Sequence, residues 1–115
     1  MGKGKSAIES QIKIINLVKE IVEEMAKDFQ QLDEVYIFGS RAKGNYLDTS
    51  DIDVIFVFKG IKEMNVFDRM YMVGKYIKKG NVDYIVLDED EKNRIKEKKL
   101  FWKKNKGFVD IKEFL

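Results

Sequence analysis

Three residue types are missing from this chain of 115 residues: it has no cysteine, no histidine and no proline. Without cysteine there are no disulfides, no zinc–thiolate centre and no thiol nucleophile. Without histidine, imidazole general bases and imidazole metal ligands are gone as well. Any chemistry at neutral pH then has to run on carboxylates, metal ions, hydroxyls and lysine. Long apolar runs are also missing. No stretch nears the length that spans a bilayer, and the opening MGKGKSAIES lacks a signal-peptide hydrophobic segment, so a cytoplasmic location without membrane contact is expected. Abundant lysine and glutamate without cysteine suggest a heat-adapted source, a case that the missing prolines do not strengthen. What is present is 44% apolar and 37% charged, the balance of a folded chain. This length supports one modest core and not two, so residues 1–115 are expected to form a single domain.

Hydrophobic spacing gives the elements. Ser6 with Glu9 three residues on reads as a capping box. Ile8, Ile12, Ile15, Val18, Val22, Met25 and Phe29 then recur at three- and four-residue steps, predicting an amphipathic helix of about six turns. Glu34–Phe38 is a short β-rich run stopped by Gly39. Asp51–Phe58 is the strongest strand. Ile52, Val54, Phe56 and Phe58 line one face while Ile55 and Val57 extend the face of the aspartates, so it is central and covered on both sides, with the aspartates at its exposed entrance. Val66, Met70, Val73 and Ile77 mark a second helix ended by Gly80, and Asn81–Leu87 a third strand. Asp88 is placed as the cap of a last helix reaching about Lys104, with the closing FVDIKEFL as a short edge strand or packed tail. The predicted class is α/β in a layered α+β sense: a small mixed sheet flanked by helices.

Connectivity places the chemistry. The Ser40–Ser50 connection is short for a parallel crossover with a full helix, so the first two strands are expected to be antiparallel neighbours. The third follows a helix and should run parallel to the second through a right-handed crossover. Gly39, Ser40, Asp51, Asp53 and Asp83 then converge on one sheet edge, the N-terminal edge of the parallel pair. Doubly wound sheets use the opposite one. Asp51 and Asp53, two residues apart, share a face. Their charges repel and lose solvation on joining a sheet, for which a divalent cation is the usual compensation. The Gly39–Ser40 turn offers backbone N–H groups to an anion, and Mg²⁺ with phosphate is the natural pairing. The pattern points to an enzyme that handles a nucleoside triphosphate. Close approach of phosphate would make a Cβ at Gly39 obstructive to the ligand, with the strand itself more tolerant of it. Ser50 reads as a loop hydrogen-bonder outside the site.

Gly39-Ser40, ten residues, Asp51-x-Asp53 and a later Asp83 in an apolar strand resemble the nucleotidyltransferase superfamily related to DNA polymerase beta, and most of all its minimal prokaryotic members. The resemblance runs from about Glu34 to Leu87, and Ala42 and Gly44 match the family's GSxAxG extension. It implies that Gly39 and Ser40 bind the triphosphate of ATP or another NTP. Asp51 and Asp53 would hold two Mg²⁺ ions, or Mn²⁺, and Asp83 would complete the metal site or accept a proton. Arg41 and Lys43 either neutralise phosphate charge or simply point to water. The implied reaction is attack of an acceptor oxygen on the α-phosphate with release of pyrophosphate. With no second domain to hold an acceptor, the acceptor is expected on a partner or at a subunit interface of a homo-oligomer. Minimal members are similar to antitoxins that adenylylate a small helical partner of the HEPN type. A small-molecule or RNA acceptor, or a complex-forming module with little turnover, are the alternatives.

Charge is unevenly spread. Lys92–Lys106 holds eight basic residues against Glu97, a local net of +7 in a chain of +2. Its preferred reading is a lysine-rich helix face with Ile95, Phe101 and Trp102 packed on the domain. An RNA surface with Trp102 stacking on a base is the alternative.

Overall fold

The computed structural model describes residues 4–115, beginning at the cap of a long helix, α1 (Lys5–Asp28). That cap is Gly4, without a side-chain bond, so the expected Ser6–Glu9 capping box is not formed and Ser6 lies inside the first turn. The buried stripe is Gln11, Ile14, Ile15, Val18, Ile21, Val22 and Met25. Ile8 and Ile12 fall outside it, at 37% and 38% exposed, because the stripe turns toward Gln11 at this end.

Strand β1 (Leu32–Phe38) leads into a one-turn helix α2 (Ser40–Lys43), and β2 (Ile52–Phe58) returns antiparallel to β1. Helix α3 (Val66–Gly74) crosses to β3 (Val82–Asp88), which runs parallel to β2. Asn65 caps α3, its side chain accepting from the Asp68 N–H at 2.9 Å. This helix stops at Gly74 instead of the expected Gly80. At Gly74 the Tyr84 hydroxyl lies 2.9 Å from where a Cβ would stand, and the chain goes on in turns closed by Tyr76 N–H on Val73 and Ile77 N–H on Gly74.

The largest correction concerns the last third of the chain. Asp88 does cap, with a complete capping box, but the element is a short 3-10 turn over Glu89–Arg94 and not a helix to Lys104. Lys98–Lys103 is instead strand β4, antiparallel to β1. The free edge of β1 carries unpaired backbone groups, and satisfying them outweighs the helical lysine pattern. A bulge where Val35 opposes Trp102 and Tyr36 opposes Leu100 skips Phe101, which lets Phe101 and Trp102 both pack on the main core. The closing segment supplies both expected forms: edge strand β5 (Gly107–Phe108) and a 3-10 turn, Ile111–Phe114, that buries Phe114. The sheet order is β3-β2-β1-β4-β5.

The faces of this mixed sheet are unequal. Val35, Ile37, Ile52, Val54, Phe56, Phe58, Val82 and Val86 pack with α1 into the main core. The other face has a small apolar cluster of Ile55, Val57 and Leu87, flanked by Tyr36, Phe38, Ile85 and Ile95. Alternation along β2 and β3 places Asp53 and Asp83 on this thinly covered side. At its far end Glu34 is buried and accepts from Lys92 at 2.7 Å, Lys103 at 2.9 Å and the Tyr36 hydroxyl at 3.0 Å.

Candidate active site

β1 ends and the antiparallel β2 begins at the same edge, with Phe38 opposite Asp53. Gly39 therefore follows β1 against the Asp53 side chain. Its backbone has φ 70° and ψ −155°, a conformation L side chains avoid, and a Cβ there would stand 2.3 Å from Asp53 Oδ2. The expectation that the strand tolerates a Cβ at this position is overturned: Gly39 is fixed by its own backbone and by Asp53, before any ligand is considered. Beyond it the Ala42 and Lys43 N–H groups bond the Gly39 carbonyl at 3.1 and 3.0 Å, which closes the α2 turn. The leading N–H groups of such a turn have no acceptor within it.

The three aspartates meet here. Asp53 and Asp83 are register partners on the parallel pair, and Asp51 stands one residue before β2 begins, outside the strand. Asp53 is half-buried while Asp51 and Asp83 are exposed. Burial, followed by the negative charge of Asp83 and then of Asp51, pushes the Asp53 carboxyl above its ordinary value. Among the described residues none of the three makes a side-chain hydrogen bond or ion pair. Like charges are thus gathered; the buried Arg41 guanidinium acts on Asp51 through space, but among the described residues no cation closes an ion pair on any of the three. Their hard oxygen donors, with no imidazole or thiolate in the chain, suit Mg²⁺ or Mn²⁺. Among the described residues no three acidic side chains are already closed into a metal centre. The fit to a metal is therefore one of donor type and shared edge.

The two expected phosphate-facing cations part company. Lys43 is exposed at the end of α2, 3.3 Å from Glu97 in a solvent-facing pair. Arg41 is 1% exposed. Its guanidinium donates to the Ser50 carbonyl from Nε at 3.1 Å and from Nη2 at 2.7 Å, and lies 5.0 Å from the Tyr46 ring centre. It holds the 41–50 loop from inside and does not face outward. Ser50, expected as a loop hydrogen-bonder, receives the Leu47 N–H on its hydroxyl at 2.9 Å. The residues missed from the sequence are Ser10 and Gln11. Gln11 shares a helical stripe with Ile15 and Val18, and a polar residue on an apolar stripe was the available signal.

The basic segment is largely occupied within the fold. Besides Lys92 and Lys103 on Glu34, Lys98 bonds the Ile95 carbonyl at 2.7 Å, Lys99 that of Glu113 at 2.7 Å and Lys104 that of Gln30 at 2.6 Å. Trp102 packs beside Phe108, ring centres 6.5 Å apart. The packing of its apolar residues on the domain is as expected; the helix is not. Two surface grooves flank α1, one toward Tyr76–Lys79 and one toward Asp48 and Asn81, and neither includes Asp51, Asp53 or Asp83. No helix among the described residues is long and apolar enough to cross a membrane.

Three comparisons bear on this geometry. Residues 18–112 match the model of the nucleotidyltransferase domain family. A candidate protein adenylyltransferase from Methanocaldococcus jannaschii is 30% identical over 77 residues, covering 66% of this chain and 75% of that protein. The crystal structure of a candidate nucleotidyltransferase from Sulfolobus solfataricus is 75% identical and matches with a TM-score of 0.91 over 95% of this chain and 97% of that one.

Proposed function

This chain belongs to the nucleotidyltransferase domain family, and from that premise we propose that it transfers AMP from ATP to a hydroxyl on a small helical partner protein. The observation that carries the proposal is the gathering of Asp51, Asp53 and Asp83 at the edge where Gly39 and Ser40 begin their turn. Ser40 and the leading N–H groups of α2 take the β- and γ-phosphates, with Lys43 as the outward cation. Asp51, Asp53 and Asp83 would hold Mg²⁺ or Mn²⁺, which when bound supplies positive charge to the triphosphate and the acceptor oxygen. The acceptor oxygen forms a bond to the α-phosphorus, the bond from that phosphorus to the bridging oxygen breaks, and pyrophosphate leaves. Asp83, exposed at the start of β3, would receive the acceptor's proton or share the metal.

Two findings favour a protein as the acceptor. Neither groove beside α1 takes in the carboxylates, so neither would hold a small acceptor against them. Five lysines of 92–106 are tied to acceptors of this chain, Lys92 and Lys103 to the buried Glu34, which leaves fewer of them for RNA. The name of the Methanocaldococcus relative agrees with AMP on a protein. A partner of the HEPN type, with this chain as its antitoxin, fits that reading.

The test is transfer of labelled α-phosphate from ATP with Mg²⁺ to a co-purified small helical protein, read by intact mass and pyrophosphate release. Wild type should add one or more AMP units. Asp83→Asn, which keeps shape and removes charge, should lose about 10²-fold in transfer with little change in ATP binding. Absence of transfer to any protein, RNA or small molecule offered would leave a complex-forming module as the better reading.

A further inference from the structure

On the α1 side of the sheet, a buried polar cluster joins three parts of the chain that lie far apart in sequence. Gln11 is 0% exposed. Its amide nitrogen donates to two carbonyls, Arg41 at 3.0 Å and Phe114 at 2.8 Å, while its Oε1 accepts from Arg41 Nη1 at 3.1 Å. Both of its N–H donors are used. The neighbouring Ser10 hydroxyl donates to the Asp48 carbonyl at 2.7 Å and accepts from Arg41 Nη2 at 3.0 Å. Arg41 carries the tie forward to the carbonyl of Ser50, the residue directly before Asp51. One guanidinium therefore fastens the α2 turn and the start of β2 to α1, and Gln11 fastens both to the Ile111–Phe114 turn.

We infer that Ser10 and Gln11 are positioning residues for nucleotidyl transfer, setting the Gly39–Ser40 turn relative to Asp51 without touching substrate. The inference rests on the reading of that edge as the triphosphate site. Its physical basis is that the edge is built from a loop. Residues 39–51 include one helical turn and otherwise irregular chain, so its placement depends on what grips it from behind. Removing the Gln11 amide leaves Arg41 Nη1 and two carbonyls buried without these partners. Such groups shift toward water or other acceptors. A displacement of about 1 Å at a reacting centre costs about 10²-fold in rate. The apolar packing of α1 on the sheet does not pass through these bonds, so the fold should survive their loss.

The experiment compares wild type with Ser10→Ala, Gln11→Met and Gln11→Glu, each well below its melting temperature. Gln11→Glu keeps an acceptor for Arg41 but has no donor for the two carbonyls, so it separates the two kinds of tie. Ser10→Ala is the mild variant should either Gln11 change prevent folding. Amide hydrogen exchange is followed across residues 39–51, and ATP with Mg²⁺ is titrated by calorimetry. Gln11→Met should exchange about tenfold faster at Ala42, Lys43 and Gly44, with β1, β2 and β3 unchanged, and should bind ATP–Mg²⁺ about tenfold more weakly. Gln11→Glu should follow it, and Ser10→Ala should show a smaller effect of the same sign. Variants that merely melt lower, with exchange at 42–44 and ATP affinity as in wild type, would make the cluster a stabiliser and overturn the inference. If wild type itself binds no ATP with Mg²⁺, the proposed function fails. The exchange data then still decide whether Ser10 and Gln11 place the turn, and unchanged exchange overturns that as well.

Discussion

Replacing Gly39 by alanine probes backbone and site together. At φ 70° and ψ −155° a side chain is strained, for a cost of roughly 1–3 kcal/mol. The added Cβ would also stand 2.3 Å from Asp53 Oδ2 and 3.3 Å from Asp53 Cγ, so the Asp53 carboxylate has to leave its rotamer for about another 1 kcal/mol. A domain of this size loses about 4 °C of melting temperature per kcal/mol, giving an expected fall of roughly 8–16 °C. The two contributions separate in an Asp53→Ala background. There the nearest remaining contact is Asp53 Cβ at 3.7 Å, an ordinary distance, and only the backbone strain is left. Thermal melts of the four proteins in metal-free buffer form a double-mutant cycle, with an expected coupling of about 1 kcal/mol. Equal falls in both backgrounds would refute the contact between Gly39 and Asp53. No fall in either would refute the backbone conformation itself.

Two pH-dependent outcomes follow from the carboxylates. Asp53 has its pKa raised above 3.8, so without metal the folded chain holds this proton longer than the unfolded one, and wild type loses stability as pH rises from 3.8 through the raised value. Asp53→Asn should therefore be at least as stable as wild type at neutral pH in melts with chelator, and lower stability there would make Asp53 a structural residue. Glu34 goes the other way: burial alone would raise it, but hydrogen bonds from Lys92, Lys103 and Tyr36 hold it down from 4.5 to about 2. Its contribution is present above pH 4.5 and is lost as pH falls through about 2. Glu34→Gln should lose on the order of 1–2 kcal/mol at neutral pH and show a flatter acid limb in denaturant titrations. An unchanged acid limb would contradict the assigned partners.

How much of this could be read from the sequence depended on how local the deciding interactions are. The first three strands, their directions and the shared edge of Gly39, Asp51, Asp53 and Asp83 were legible, because alternation and one short connection leave few arrangements. The segment 88–104 was misread. Its lysines and apolar residues suit a helix, but the free edge of β1 lies about 60 residues away in sequence and decides for a strand. Arg41, next to Ser40, reads locally as an outward cation for phosphate or water. Its inward turn depends on Ser10, Gln11 and Ser50, which no local pattern links to it. The conformation of Gly39 was invisible for the same reason, since the collision that forbids a side chain comes from Asp53 on the neighbouring strand.

The most direct test of the carboxylate edge as the nucleotide site is a calorimetric titration of ATP into wild type and into Asp51→Asn/Asp53→Asn, each with Mg²⁺, with Mn²⁺ and with chelator. Wild type is expected to bind ATP tightly only when metal is present, and the double variant to lose that metal-dependent part while remaining folded. Equal metal-dependent affinity in both proteins would contradict the assignment and place the nucleotide elsewhere on the molecule.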